Sequence, residues 1–177
     1  ILKELPSILR DANWDVTVTV WDNRRIVAVE PGDTSSDLFG FAVDIGTSKI
    51  VGHLVDLTSG KTVAVGSIEN PQIIHGEDVM TRITFTATNS TNLKTLQKLT
   101  VNGINKVLHD ACRKARVNPN KIYEVVAVGN TAMHHFFLGI QPKYVALSPY
   151  TPALKRPVSL AAKELNIKVN PRRNSNS

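Results

Sequence analysis

The sequence predicts a mixed α/β domain, an antiparallel meander of three strands followed by helices and then a parallel strand, with a small α+β module ahead of it. Three observations carry that expectation. Strand-like runs at 38–45, 49–57 and 62–67 are joined by connections short enough to be hairpins. A stretch at 91–116 repeats Leu93, Leu96, Leu99, Ile104, Val107, Leu108, Ala111 and Ala115 at helical spacing, with Lys114 and Arg116 well placed for its C-terminal end. The run 123–128 is mostly apolar, as in a strand covered on both faces, and passes directly into Gly129-Asn130-Thr131, where Asn130 or Thr131 can cap a helix carrying Met133, Phe136, Phe137 and Leu138.

The remaining elements follow in order. Ile1, Leu2, Leu5, Ile8 and Leu9 share one face of a short helix that Pro6 limits at its first turn. Val16, Val18 and Val20 alternate with Thr17, Thr19 and Trp21, and a second β-rich run at 25–30 follows Asp22-Asn23, which predicts a hairpin. Trp14 and Trp21 flank its first strand and are expected to anchor its small core. A polar stretch at 31–37 then separates a module at 1–33 from a main domain at 38–168. Gly76-Glu77-Asp78 opens a helix whose buried side is Val79, Met80 and Ile83, and Asn118-Pro119-Asn120 ends the long one. Residues 169–177 read as a polar tail. The chain begins with Ile1 instead of Met and closes on that tail, so it reads as a piece of something longer and the domain as incomplete.

Composition narrows the function classes. The 177 residues are 42% hydrophobic and 20% charged, enough for a real core. No apolar run approaches the ~20 residues of a bilayer helix, and no signal-peptide pattern opens the chain. The single cysteine, Cys112, excludes an internal disulfide or an all-cysteine metal cluster within these residues, and a reducing cytoplasm is the default location. Cys112 falls in the apolar stripe of the long helix, which suits an inert thiol. The net charge of +6 comes from scattered Lys and Arg, so nucleic acid is not an expected partner.

Chemistry concentrates in Asp44-Ile45-Gly46-Thr47-Ser48. An apolar strand delivers Asp44 to its end, Gly46 allows close backbone approach to an anion, and Thr47 and Ser48 offer hydroxyls and amides. That set suits phosphates and their Mg²⁺, which Asp44 would reach directly or through water. A plain hairpin, its Asp-x-Gly-Thr serving turn geometry alone, is the alternative. Lys49 is expected in solvent. Gly129, Asn130 and Thr131, where a strand opens into a helix, suit either nucleotide approach or simple capping. His134 and His135 point about 100° apart on a helix and cannot readily chelate together, so one should be core and one surface. Asp78 and Arg82 are spaced as a surface ion pair.

The strand order with Asp-x-Gly-Thr in its first hairpin resembles the ribonuclease-H-like first lobe of the actin, sugar-kinase and heat-shock-chaperone ATPase superfamily. Further segments sharpen this: Asn70-Pro71-Gln72 with Gly76-Glu77-Asp78-Val79-Met80-Thr81-Arg82-Ile83, then Val128-Gly129-Asn130-Thr131-Ala132-Met133-His134-His135, then Ser148-Pro149-Tyr150-Thr151-Pro152. In this order they resemble the signatures of ATP-dependent reductive activators of corrinoid proteins. The module at 1–33, with Trp14-Asp15-Val16-Thr17-Val18-Thr19-Val20-Trp21, is similar to the small module preceding the ATPase domain there.

The resemblance implies a protein that uses ATP and Mg²⁺ to return an inactive Co(II) corrinoid, carried on a methyl-transfer partner, to Co(I). Electrons would come through an iron-sulfur cluster in a domain outside these residues, and a homodimer of the parent is left open. Asp44 would take the catalytic and Mg²⁺ role, with Gly46, Thr47, Ser48, Gly129, Asn130 and Thr131 on the nucleotide, and the place of Arg82 in a family-like segment leaves a phosphate-side or partner-side role open for it. Activity is expected of the intact parent and not of this stretch, which holds only half of a nucleotide site. A sugar-kinase-like phosphotransferase lobe and a nonenzymatic, ATP-switched interaction domain are the alternatives.

Overall fold

The computed structural model describes residues 1–169. Its front module is a short helix and a hairpin. Pro6 sits in the first turn of α1 (Leu5–Asp11), where a missing N–H costs nothing, and Arg10 lies in the last turn. β1 (Val16–Trp21) and β2 (Arg25–Pro31) pair antiparallel around Asp22 and Asn23, both at positive φ near 50°. Asp and Asn tolerate that conformation better than other non-glycine residues.

The hairpin buries Val27, Ala28 and Val29 of β2, while Val18 and Val20 of β1 face solvent. Thr17 goes with that choice of face. Its hydroxyl donates to the Gly32 carbonyl at 2.6 Å and accepts the Thr34 amide at 2.8 Å, so β1 turns a polar side chain toward the connection that follows. Trp21 packs on the small cluster as expected, but Trp14 is 72% exposed at φ 66° and anchors nothing.

The main sheet has the predicted topology. β3 (Phe39–Ile45), β4 (Lys49–Asp56) and β5 (Lys61–Glu69) form the antiparallel meander, and β6 (Ile122–Gly129) joins β3 in parallel, giving the order β5-β4-β3-β6. α3 (Asn92–Ala115) packs on one face against β4 and β5, burying Leu96, Ile104, Val107, Leu108 and Ala111 against Phe41, Val43, Ile45, Ile50 and Leu54. α2 (Val79–Thr88) and α4 (Thr131–Leu138) pack beside α3, with Met133 and Phe136 fully buried. Among the described residues only α5 (Lys143–Ala146) and a 3₁₀ turn at Ala162–Leu165 follow. Val169 is buried in the core, so the expected tail does not begin there; 170–177 lie outside the described residues.

Two expectations are corrected. β6 is covered on one face only: Val126 and Val128 are each 52% exposed, because β6 is the outermost strand and the helices lie on the other side of the sheet. On α2, Asp78 caps the helix instead of entering its first turn, accepting the Thr81 amide at 2.8 Å. This rotates Met80 into solvent and places Arg82, Ile83 and Thr86 on the buried side.

β6 also carries a bulge. Phe39 pairs with Ile122 but Gly40 pairs with Glu124, so Tyr123 is an extra residue in the ladder. Tyr123 and Glu124 can then both reach the front module. The Tyr123 hydroxyl donates to Glu30, Trp21 Nε1 donates to Glu124 at 3.1 Å, and Lys121 lies 3.5 Å from Glu30 and 3.4 Å from Asp37.

Cys112 is buried as expected, 2% exposed, and desolvation pushes its thiol from 9.0 up to about 11. The native state therefore holds this proton more tightly than the unfolded chain. Its contribution to stability is full below pH 9 and falls as pH rises toward 11. A thiol reagent at pH 8 is expected to label the folded chain roughly a hundredfold more slowly than the unfolded one. Equal rates would show that the thiol is exposed.

Candidate phosphate-binding hairpin

β3 sends Phe41, Val43 and Ile45 into the core and Ala42 and Asp44 to the opposite, open face. Asp44 stands there in register with Val51 on one side and Val128 on the other. Its exposed carboxylate has no hydrogen-bond or ion-pair partner among the described residues.

The turn beyond it is held from beneath by its carbonyls. Gly46 O accepts from Asn70 Nδ2 at 2.7 Å, Thr47 O from an Arg82 Nη at 2.8 Å, and Ser48 O from the Asn70 amide at 2.8 Å. A trans peptide points its N–H opposite to its C=O, so the carbonyls turned inward leave the Thr47 and Ser48 amides facing outward. Neither amide has an acceptor among the described residues. Successive outward amides in a turn form a concavity for an anion. Gly46 is required by the turn itself, since a Cβ there would lie 2.7 Å from the Lys49 carbonyl oxygen. The glycine therefore serves the hairpin's own backbone before it serves any ligand.

The end of β6 meets this turn. Gly129 pairs with Ile45, and a Cβ on it would lie 2.9 Å from the Ile45 carbonyl, so the close approach of the two strands calls for glycine. Asn130 is the cap of α4, its Oδ1 accepting the Met133 amide at 3.0 Å, and its Nδ2 reaches Thr47 Oγ1 at 3.4 Å. Thr131 begins the helix and gives its carbonyl to His135 Nδ1 at 2.6 Å. The sequence-predicted residues thus gather at one end of the sheet, with Gly129 and Thr131 contributing backbone.

Among the neighbours, Lys49 is in solvent as expected. His135 is the core histidine, bridging Thr131 and the Ala153 amide at 3.2 Å. His134 is half-buried instead of exposed, and its Nε2 is enclosed with no partner among the described residues. The described residues hold no group of three or more His, Cys, Asp or Glu that could bind a metal ion.

Sequence reasoning left a phosphate-side or partner-side role open for Arg82 but missed the burial of this residue. It is fully buried, and the expected surface ion pair with Asp78 is absent. Its Nε donates to Gly76 O at 2.8 Å, one Nη to Gln72 Oε1 at 3.1 Å, and the other Nη to Thr47 O. Gln72 is fixed in turn by Leu96 O at 3.0 Å, Thr100 Oγ1 at 2.7 Å and Asn70 Oδ1, which takes its amide at 2.9 Å. Desolvation lowers the Arg82 pKa from its usual value, partly offset by the charge of Asp78. Asp78 is itself lowered, chiefly by the Thr81 amide and hydroxyl. The signal in the sequence was Arg82 lying beside Ile83 and three residues from Val79, on the apolar stripe of α2.

Comparison with known proteins matches residues 1–36 to the RACo linker region and residues 39–175 to the RACo middle region. The chain belongs to the RACo family. It is similar to the corrinoid activation enzyme RamQ of Eubacterium limosum, 32% identical over 155 residues, which cover 88% of this chain and 26% of RamQ. Among solved structures it matches a reductive activator for corrinoid, iron-sulfur protein at 37% identity and a TM-score of 0.86, over 97% of this chain and 28% of that one. The chain therefore spans between a quarter and a third of each relative's length. The RACo middle-region match begins at Phe39, the first residue of β3, and so contains the whole candidate site. No helix among the described residues is long and apolar enough to cross a membrane.

Proposed function

We propose that this chain supplies the first phosphate-gripping hairpin of an ATP-dependent reductive activator, which restores Co(II) corrinoid on a cytoplasmic methyl-transfer protein to Co(I). The observation that carries the reading is the pairing, in one turn, of outward Thr47 and Ser48 amides with the carboxylate of Asp44, none of which has a partner among the described residues. These groups fit a polyphosphate and its Mg²⁺: amides and hydroxyls of Thr47 and Ser48 hold phosphate oxygens, and Asp44 orients the metal or its water. Bound MgATP supplies free energy through phosphoryl chemistry, which the parent uses to drive one electron uphill onto cobalt. Within this chain, Gly46 keeps the turn tight and Asn130 holds the Thr47 hydroxyl toward the helix end. The chain's only cysteine, buried at 112, does not fit an iron-sulfur ligand set, so the cluster belongs to another part of the parent.

The test uses the full-length parent with MgATP, an electron donor and its Co(II) corrinoid partner, following Co(I) by absorbance. Co(I) is expected to appear only when ATP and the parent are both present, and ATP hydrolysis to rise with the corrinoid partner. Hydrolysis indifferent to cobalt, or phosphate transfer to a sugar hydroxyl, would replace this reading with a kinase.

A further inference from the structure

We propose that Arg82 is a positioning residue for anion binding: from inside the core it fixes the Thr47 carbonyl and lends its charge to the concavity on the other side of the turn. This rests on the phosphate reading of the hairpin. The physical argument starts from burial, since a fully buried guanidinium ordinarily carries a carboxylate partner. Arg82 instead spends its donors on the carbonyls of Gly76 and Thr47 and on Gln72 Oε1. No carboxylate lies within ion-pair distance of it among the described residues. Asp78, one turn earlier, commits its oxygens to the Thr81 amide and hydroxyl, each at 2.8 Å.

The donors of the cation are thus met by neutral dipoles, with the Asp78 charge acting on it from beyond ion-pair distance, and the dipole it holds most usefully is the Thr47 peptide group. Because that C=O points at Arg82, the Ser48 N–H points away from it, and an anion meeting that N–H lies in line with the dipole and the buried charge behind it. Field through a low-dielectric core is screened less than field through water. Asp78 offsets the charge of Arg82 only in part, and a phosphate at the turn adds the rest.

The experiment uses the full-length parent with magnesium pyrophosphate as probe and reads the Thr47 and Ser48 amide resonances. In the wild type those amides shift on titration. Arg82→Gln is expected to weaken binding roughly tenfold or more, and to move and speed the exchange of the same amides before any probe is added. Arg82→Lys, which keeps the charge but reaches fewer of the acceptors, should fall between. Ile83→Val, a buried apolar neighbour on α2 that offers the turn no polar group, controls for lost stability and should bind as the wild type does. The proposal is overturned if folded Arg82→Gln binds with unchanged affinity, or if Ile83→Val loses as much. Should Arg82→Gln fail to fold, Arg82→Lys decides, and wild-type affinity with unaltered amide exchange would count against the proposal. If the wild type itself ignores pyrophosphate, the phosphate reading falls on its own; unchanged amide exchange in the Arg82 variants would then sink the bracing role separately.

Discussion

Asp44→Ala in the full-length parent is expected to reduce ATP-coupled Co(II) reduction by roughly a hundredfold or more, the scale of loss when a group orienting a metal or stabilising developing charge is removed. The protein should nevertheless remain folded. The Asp44 carboxylate is exposed and forms no hydrogen bond or ion pair among the described residues, so its removal breaks no polar contact and should leave stability within about 0.5 kcal/mol of wild type. Rate and denaturation midpoint measured on one preparation check both halves. Asp44→Ala coupling ATP hydrolysis to cobalt reduction at the wild-type rate would leave the shared architecture without the phosphate chemistry.

Gly46→Val is expected to do more. The new Cβ would lie 2.7 Å from the Lys49 carbonyl oxygen, a backbone atom that cannot swing aside as a side-chain end could. Relief requires the β3–β4 turn to open, which also disturbs the Asn70, Arg82 and Asn130 contacts to residues 46–48. We expect a loss of about 2–4 kcal/mol in stability together with loss of nucleotide binding. Denaturant titration and a binding assay separate it from Asp44→Ala, where binding and catalysis change and stability does not. A Gly46→Val protein unfolding at the wild-type midpoint would show that the turn has slack the geometry denies.

The fold was legible where a repeating pattern carries it. The meander follows from short connections, and the long helix from twenty-odd residues of 3.6-period Leu, Val and Ala, ending at Ala115 with Arg116 in the left-handed conformation. Legibility failed where one polar contact overrides an apolar period. Thr17 bonding across to Gly32 and Thr34 goes with the face that β1 turns inward, and the Asp78 cap fixed the phase of α2 so that Met80 lost and Arg82 gained its place inside. Both devices are local side-chain to backbone bonds, and both were visible as residues though not as partners. In the candidate site, Asp44 and residues 46–48 were readable because strand alternation and a turn are short-range facts. For Arg82 a phosphate-side role was left open, but its burial and its bond to Thr47 were not readable, because that bond spans 35 positions of sequence and no periodicity reports such a distance.

The bulge at Tyr123 gives β6 a phase. A strand counts in twos, and an odd insertion exchanges the side facing in for the side facing out at every later position. Ile122 lies in the core before the bulge; Val125 and Ala127 pack against it afterwards, an odd step that plain alternation would forbid. Deleting Tyr123 itself would leave Glu124 at Gly40 and Val125 at Phe41, whereas deleting Glu124 with the bulge kept would turn the strand inside out, driving Val125 and Ala127 to the surface. It would also bring Asn130 to Ile45 and Thr131 one step nearer the turn, misaligning the helix cap with Thr47. The number of residues between Glu30's partner and the Asn130 cap is therefore a fixed quantity, as a gear's tooth count is, and insertion or deletion there should be tolerated only in compensating pairs.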